Sequence, residues 1–111
     1  MEYTLMVCAD EQLEITPEIV TAFTSCQKEM VSRGVLKSAT RLLPTTTSTT
    51  VRVRNGGLII ADGPFAETKE QVAGFYIVDC EDLDEAIEVA LLIPAAVFGT
   101  IEVRPNAPTP V

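Results

Sequence analysis

Apolar and polar positions alternate or cluster along the chain in patterns that predict its strands and helices. Residues 3–9 ("YTLMVCA") are apolar on both alternating sets, which is typical of a strand covered on both faces. Thr16 and Pro17 then predict a helix start, with the threonine as N-cap and the proline in the first turn. Gly34 predicts the end of this helix, whose apolar residues at helical spacing are Ile19, Phe23, Cys26 and Met30.

A second strand and a hairpin are predicted for the middle of the chain. The strand covers residues 35–43 and ends before Pro44. Residues 45–50 ("TTTSTT") form a low-complexity run that predicts a mobile loop leading into the next strand, since threonine is common in both. The segment "TVRVRNGGLIIAD" favours a hairpin whose tight turn takes its positive φ angles from Asn55, Gly56 and Gly57.

The last third of the chain predicts a strand, a helix and a final strand. Residues 74–80 are apolar on both faces, and residues 99–104 are the final strand, followed by a Pro-rich tail at 106–111. Asp82 with Glu85 resembles a capping box and predicts the helix start. The helix is expected to stop at Pro94 and to carry an apolar stripe of Leu83, Ala86, Ile87, Ala90 and Leu91.

The order of these elements is β-α-β, a hairpin, then β-α-β. This order predicts an α+β protein of ferredoxin-like type with an inserted hairpin, in one domain over residues 1–111. Two helices can cover only one face of such a sheet. Because the strands are apolar on both sides, the second face needs cover, and a face-to-face homodimer is the simplest source of it.

The charges are unevenly distributed in a chain of 111 residues with a net charge of −8. This balance argues against nucleic acid as a partner, because phosphates are bound by clustered lysine and arginine. Residues 79–88 hold six acids and no base, whereas residues 28–54 hold six bases and the single acid Glu29. A basic patch on an acidic protein is suited to a small anion or to the acidic face of a partner.

Cysteine usage and hydropathy predict the compartment. Three cysteines without CxxC spacing argue against a disulfide framework or a zinc site and favour a reducing environment. The N-terminus has no basic region before its apolar stretch, so no signal peptide is expected. The most apolar run, "VALLIPAAVFGTI", is too short to cross a bilayer and is broken by Pro94. We therefore expect a soluble cytoplasmic protein with no membrane partner.

Three motifs carry a family resemblance. The segment "DGPFAETKE" (residues 62–70), followed by "GFYIVD" and "IEVRP", resembles the DGPF-domain branch of the YCII-related family, and the layout matches over nearly the whole chain. The resemblance implies a dimeric α+β barrel and small proteins mostly inferred to be enzymes, some of them associated with extracytoplasmic-function sigma factors. Other YCII-related proteins carry a His–Asp pair proposed as an active-site dyad. This chain has no histidine, so that mechanism does not carry over.

Without histidine, triads, Cys–His pairs and histidine-bearing metal sites are excluded, and neither a metal nor a cofactor is expected. Asp62 and Glu67 could act as general bases only if they were buried. Asp62 with the following Gly and Pro is first of all a turn. Four residues of the same segment exceed the needs of a turn and indicate a ligand site: Phe65, Glu67, Lys69 and Glu70.

Arginines supply the candidate anion site. In "VRVR" the side chains of Arg52 and Arg54 share one face of a strand. The hairpin partner of this strand leads into Asp62, so Arg52 is expected near that carboxylate, either as a bidentate anion fork or in an ordinary surface ion pair. The resemblance to the YCII-related family implies the anion site for Arg52. Arg54 is expected on a solvated face. Arg104 is a further ligand-binding candidate, and it is also placed to pair with Glu102 on its own strand.

Two main functions remain open. One is a small homodimeric enzyme or binding protein for an anionic metabolite, in which Asp62 is the acid/base or orienting carboxylate, Arg52 holds the anionic group and Phe65 lines the pocket. Carboxylate chemistry suits isomerase or lyase reactions without a cofactor. The other is a regulatory module that binds a protein partner and does no chemistry. A third possibility is that the segment of residues 62–70 only stabilises the dimer.

Overall fold

The computed structural model describes residues 1–109, so the last two residues of the predicted tail lie outside it. The chain forms six strands and three helices over those residues. In order they are β1 (Glu2–Asp10), α1 (Pro17–Ser32), β2 (Leu36–Arg41), β3 (Thr49–Arg54), β4 (Gly57–Asp62), β5 (Glu70–Asp79), α2 (Leu83–Ala90), α3 (Ala95–Phe98) and β6 (Thr100–Pro105).

The main sheet confirms the predicted ferredoxin-like topology. Its four strands are ordered β2-β5-β1-β6, and every neighbouring pair is antiparallel. Strands β3 and β4 pair with each other in a separate two-stranded sheet. The hairpin is therefore an insertion between β2 and β5, which leaves the α+β arrangement of the main sheet intact.

Helix α1 begins and ends as its capping residues predict. The Thr16 hydroxyl accepts a hydrogen bond from the backbone N–H of Ile19 at 3.3 Å, and Pro17 fills the first position, where no donor is lost. After the helix, Gly34 takes a φ of 72°, a left-handed conformation that glycine adopts without strain. Cys26 and Met30 are buried against the sheet.

Helix α2 confirms the predicted cap but only part of the predicted stripe. Asp82 accepts from the N–H of Glu85 at 2.9 Å. The buried residues are Ala86, Val89 and Ala90, whereas the larger members of the stripe are exposed: Leu83, Ile87 and Leu91. The buried side of this short helix thus includes Val89, which is outside the predicted stripe, and the leucines and isoleucine lie on the exposed side. After Pro94 the chain forms α3, which was not predicted.

Within residues 1–109, helices cover only one face of the main sheet. The covered face contributes Tyr3, Leu5 and Val7 from β1 and Tyr76 and Val78 from β5 to the core under the helices. The other face carries half-buried apolar residues that do not belong to that core, and we call it the open face: Met6, Cys8, Phe75 and Ile77. Glu102 and Arg104 of β6 flank this face, since they pair with β1 residues on the same side.

A two-residue turn sets the geometry of the hairpin. Asn55 and Gly56 have φ angles of 51° and 76°, whereas Gly57 is already in β4 and is not left-handed. Upstream, Thr45–Thr47 form one turn of 3₁₀ helix where a loop was predicted, and Thr49–Thr50 open β3, as expected of a run that leads into the strand.

The molecule is flat and extended for its length. Its principal extents are 48 × 43 × 17 Å, and its radius of gyration is 16.1 Å, against about 13 Å for a compact chain of this size. Every residue of β3 and β4 except Thr50 is exposed. The hairpin thus adds surface to the molecule without adding to its core.

Candidate functional site

The segment that carries the family motif forms a compact loop over residues 63–69. It is shorter than predicted because β4 continues to Asp62 and β5 begins at Glu70 rather than at Gly74. The early start of β5 depends on pairing with distant β1, where Glu70 lies opposite Asp10. Asp62 and Glu70 are therefore strand residues that border the 63–69 loop.

Internal hydrogen bonds hold the 63–69 loop in shape. The Gln71 side-chain amide donates to the carbonyl of Ala66 at 2.8 Å and to that of Thr68 at 3.3 Å. The Gly63 N–H donates to the carbonyl of Ser48 at 2.8 Å, and its φ of 96° favours glycine at this position. The role of Gln71 was not predicted, because an amide that bonds backward across a loop leaves no local pattern in the sequence.

A cleft of about 360 Å³ opens beside this loop, and we call it the loop cleft. The carboxylate of Glu11 accepts hydrogen bonds from both the backbone N–H and the hydroxyl of Thr45, which fixes one wall. Other residues of the lining are Pro64, Glu67, Thr68 and Gln71. The described lining holds two carboxylates and no base, so it favours hydrogen-bond donors or positive charge on a ligand.

Arg52 contacts the 63–69 loop at the aromatic ring of Phe65. Its guanidinium carbon lies 5.1 Å from the centroid of the Phe65 ring, and Phe65 is 80% exposed. This is a cation–π contact at an exposed site, worth about 0.5–1 kcal/mol. The structure therefore brings together two of the predicted site residues, and it leaves the outer face of Phe65 open to solvent.

Asp62 lies on the other side of the hairpin from Arg52. The register pairs Thr49 with Asp62 and Arg52 with Ile59, and neighbours along a strand face opposite ways. The expected closeness of Arg52 to the Asp62 carboxylate is therefore not found within one chain. Asp62 and Glu67 are both exposed, so the burial that a general base requires is not supplied by the chain alone.

The remaining predicted site residues are spread over the surface. Glu70 accepts a hydrogen bond from the hydroxyl of Thr100 at 2.8 Å. Arg104 donates to Glu102 at 2.6 Å, which is the local pair that their spacing predicts. Within residues 1–109, Lys69 forms no ion pair with the neighbouring glutamates. Arg104 and Glu70 thus lie on strands of the main sheet rather than in the lining of the loop cleft.

All three cysteines are free thiols in apolar surroundings. Burial raises the pKa of Cys8, and the carboxylates of Glu102 and Glu70 raise it further. Burial likewise raises the pKa of Cys26, and it raises the pKa of Cys80 to about 11 with help from Glu85. Because the thiolate is the reactive form, these environments favour packing over nucleophilic chemistry.

The described residues contain neither a candidate metal cluster nor a candidate membrane-spanning helix. Over the described residues, no group of three or more His, Cys, Asp or Glu side chains is placed to hold a metal ion. None of the helices within residues 1–109 combines the length and apolar character needed to cross a membrane.

The sheet order and the inserted hairpin define a ferredoxin-like α+β protein with a polar cleft beside its insertion. The chain belongs to the YCII-related family, since the profile of the YCII-related domain matches residues 1–108. An uncharacterised protein of Rhizobium meliloti (strain 1021) is 39% identical over 115 aligned positions, which cover 96% of this chain and 93% of that protein. The family resemblance of the motifs is thereby confirmed, while the match does not separate the DGPF branch from the rest.

Proposed function

We propose that this YCII-related protein is a homodimer that binds or transforms a small polar metabolite at the loop cleft. The observation that supports this most is the construction of the cleft. Its loop is held by the Gln71 amide, and the Glu11 wall is held by Thr45, so the cavity is preformed. Preformed concave sites with a few fixed polar groups are the usual places for small ligands.

The ligand is proposed to carry both an anionic group and hydrogen-bond donors. Arg52 on Phe65 supplies positive charge beside the loop, and Glu67 supplies negative charge inside the cleft. In this proposal Phe65 provides an apolar wall, and Lys69, Glu70 and Arg104 act at longer range. The anion expected from sequence is thus bound at the rim, since the cleft lining itself has no base.

The enzymatic form of the proposal is proton transfer by Asp62 or Glu67, as in isomerase or lyase chemistry, without a cofactor. Both carboxylates need cover from a ligand or a second chain before they can serve as bases near neutral pH. A second chain on the open face would complete a dimeric α+β barrel. A cytoplasmic location is part of the proposal, supported by the three free thiols.

A non-catalytic interaction module is the second candidate, of the sigma-factor-associated type. One observation favours it. Leu83 and Ile87 of α2 and its C-cap residue Leu91 form an exposed row at four-residue spacing, and acidic residues of the same helix lie beside them. Exposed apolar rows with charged borders are common in protein docking surfaces.

A thermal-shift screen with matched arginine variants tests the binding proposal. Parent protein, Arg52→Ala and Arg54→Ala are heated with small carboxylates, phosphorylated metabolites, amino acids and lactones. A ligand at a hundredfold excess over its dissociation constant stabilises the parent by about 2.7 kcal/mol. The proposal predicts that the shift is lost in Arg52→Ala and kept in Arg54→Ala. Among the described residues the Arg54 side chain donates a hydrogen bond only to the carbonyl of Val53.

Other outcomes of the screen contradict the proposal. A ligand whose shift survives both Arg52→Ala and Glu67→Gln binds elsewhere on the molecule. If no ligand raises the melting temperature of the parent protein, that result favours the interaction module. Binding to a protein partner that survives Asp62→Asn and fails in Glu88→Lys would then support that second candidate.

A further inference from the structure

The hairpin β3–β4 has one wholly aliphatic side. Its register places four apolar residues on the same side, where they pair across the strands: Val51 with Ile60 and Val53 with Leu58. Each of the four is between 61% and 65% exposed. We call this surface the aliphatic face. Such a contiguous apolar surface is uncommon on a chain that stays alone.

The opposite side of the hairpin carries polar residues that already make contacts within the chain. Arg52 lies over Phe65, and the hydroxyl of Thr50 donates to the carbonyl of Ala61 at 3.3 Å. Arg54 and Ile59 complete this side. The hairpin is therefore amphipathic, with its apolar side facing away from the loop. An isolated two-stranded hairpin is only marginally stable in water, so packing of another surface on the aliphatic face would stabilise this one.

The chain exposes more surface than a compact monomer of its mass, and the excess is large enough for a dimer interface. The chain exposes 7792 Å², about 1,800 Å² more than the roughly 6,000 Å² of a compact monomer of 12.0 kDa. A standard interface buries about 800 Å² per partner, and obligate homodimers bury more. The surplus is thus large enough for an extensive interface between two copies.

We propose that the hairpin is a dimerisation arm whose aliphatic face packs against a second copy of this chain. The inference rests on the proposed homodimer and deepens it by naming a second surface besides the open face. The same chain supplies a β-sheet surface of matching chemistry, the open face with Met6, Phe75 and Ile77. Aliphatic sheet faces pack on each other at about 10 Å, without need of hydrogen bonds.

Charge also favours a second copy as the occupant. Residues 49–61 contain two arginines and no acid, in a chain whose net charge is −8. A basic arm approaching an acidic copy relieves part of the repulsion between the two chains. Asp62 stands at the base of the aliphatic face, opposite Thr49. A partner on this face would bury the Asp62 carboxylate, which is the cover that its proposed acid/base role lacks in one chain.

Two adjacent isoleucines give a matched test. Ile60 lies on the aliphatic face, and Ile59 lies on the polar side of the same strand. Ile60→Lys and Ile59→Lys are compared with the parent by sedimentation velocity over a range of concentrations. A twofold-symmetric dimer contains each substitution twice. We expect Ile60→Lys to weaken dimerisation by roughly a hundredfold or more, and Ile59→Lys to change it by less than about threefold.

The outcomes separate the arm from the homodimer. A dimeric parent whose Ile60→Lys variant remains equally dimeric overturns the arm and leaves the homodimer standing. A parent that is monomeric at all concentrations overturns both. Far-UV circular dichroism checks that each variant is folded, and Leu58→Gln replaces Ile60→Lys if that variant is not. The arm predicts the same dissociation for Leu58→Gln, because Leu58 shares the aliphatic face.

Discussion

Two neighbouring residues of β1 give the sharpest test of how the sheet is covered. Leu5 is fully buried and lies between Tyr76 and Val103 on the covered face. Leu5→Ala removes contacts on both sides of the strand and leaves a cavity, which costs about 2–5 kcal/mol of unfolding free energy. Because a domain of this size has about 5–15 kcal/mol in total, this loss is easily measured.

Met6 points to the open face, where it lies opposite Phe75. In a lone chain Met6→Ala would cost about 1 kcal/mol or less, since its side chain is only half-buried. In a homodimer the second copy covers Met6, and the cost rises towards that of a core methionine, about 2–5 kcal/mol. A hundredfold dilution then lowers the apparent stability of the dimer by about 2.7 kcal/mol.

Urea unfolding followed by far-UV circular dichroism measures both variants, because the chain has no tryptophan for fluorescence. Parent, Leu5→Ala and Met6→Ala are unfolded at two protein concentrations a hundredfold apart. A loss below about 1 kcal/mol for Leu5→Ala would contradict the assignment of the covered face. A mild, concentration-independent loss for Met6→Ala would contradict cover of the open face by a second copy.

Two further predictions concern α2 and the thiol beside it. Asp82→Ala removes the hydrogen bond from the Glu85 N–H and should lower the unfolding free energy by about 1 kcal/mol in thermal melts. Asp84→Ala, two residues further on in the first turn of α2, should change it by less than half as much. The pKa of Cys80 is raised to about 11 in the folded protein, whereas a free cysteine thiol has a pKa of about 8.5. As the pH rises, the unfolded chain therefore loses this proton before the folded protein does. Stability is therefore full below about pH 8.5 and falls as the pH rises through 11. Cys80→Ala should flatten part of this alkaline loss in melts from pH 7 to 11, and an unchanged profile would argue against a buried, protonated Cys80.

Local signals predicted the elements whose ends are set by local chemistry. The Thr16 cap, the Asp82 cap and the glycine after α1 are all found where the sequence places them. The start of β5 was misplaced because residues 70–73 carry no strand pattern of their own. Their strand conformation follows from pairing with β1, which is remote in sequence.

The candidate site was harder to predict, because turn length decides which hairpin residues meet. A two-residue turn at Asn55 and Gly56 puts odd-numbered β3 residues and even-numbered β4 residues on one side. This alternation places Arg52 and Asp62 on opposite sides of the hairpin, and it places the four residues of the aliphatic face on the same side. The role of Glu11 depends on a contact with Thr45, 34 residues away, and that of Gln71 on hydrogen bonds that reach backward into its own loop. The sequence offers no spacing rule for either.

The mass of the unaltered protein in solution tests the central claim most directly. Sedimentation equilibrium over a wide concentration range, at neutral pH and moderate salt, reports it without any variant. The homodimer proposal predicts twice the chain mass of 12.0 kDa down to low micromolar concentration. A mass of 12.0 kDa at every concentration would contradict the proposal and leave the open face and the aliphatic face without the partner assigned to them.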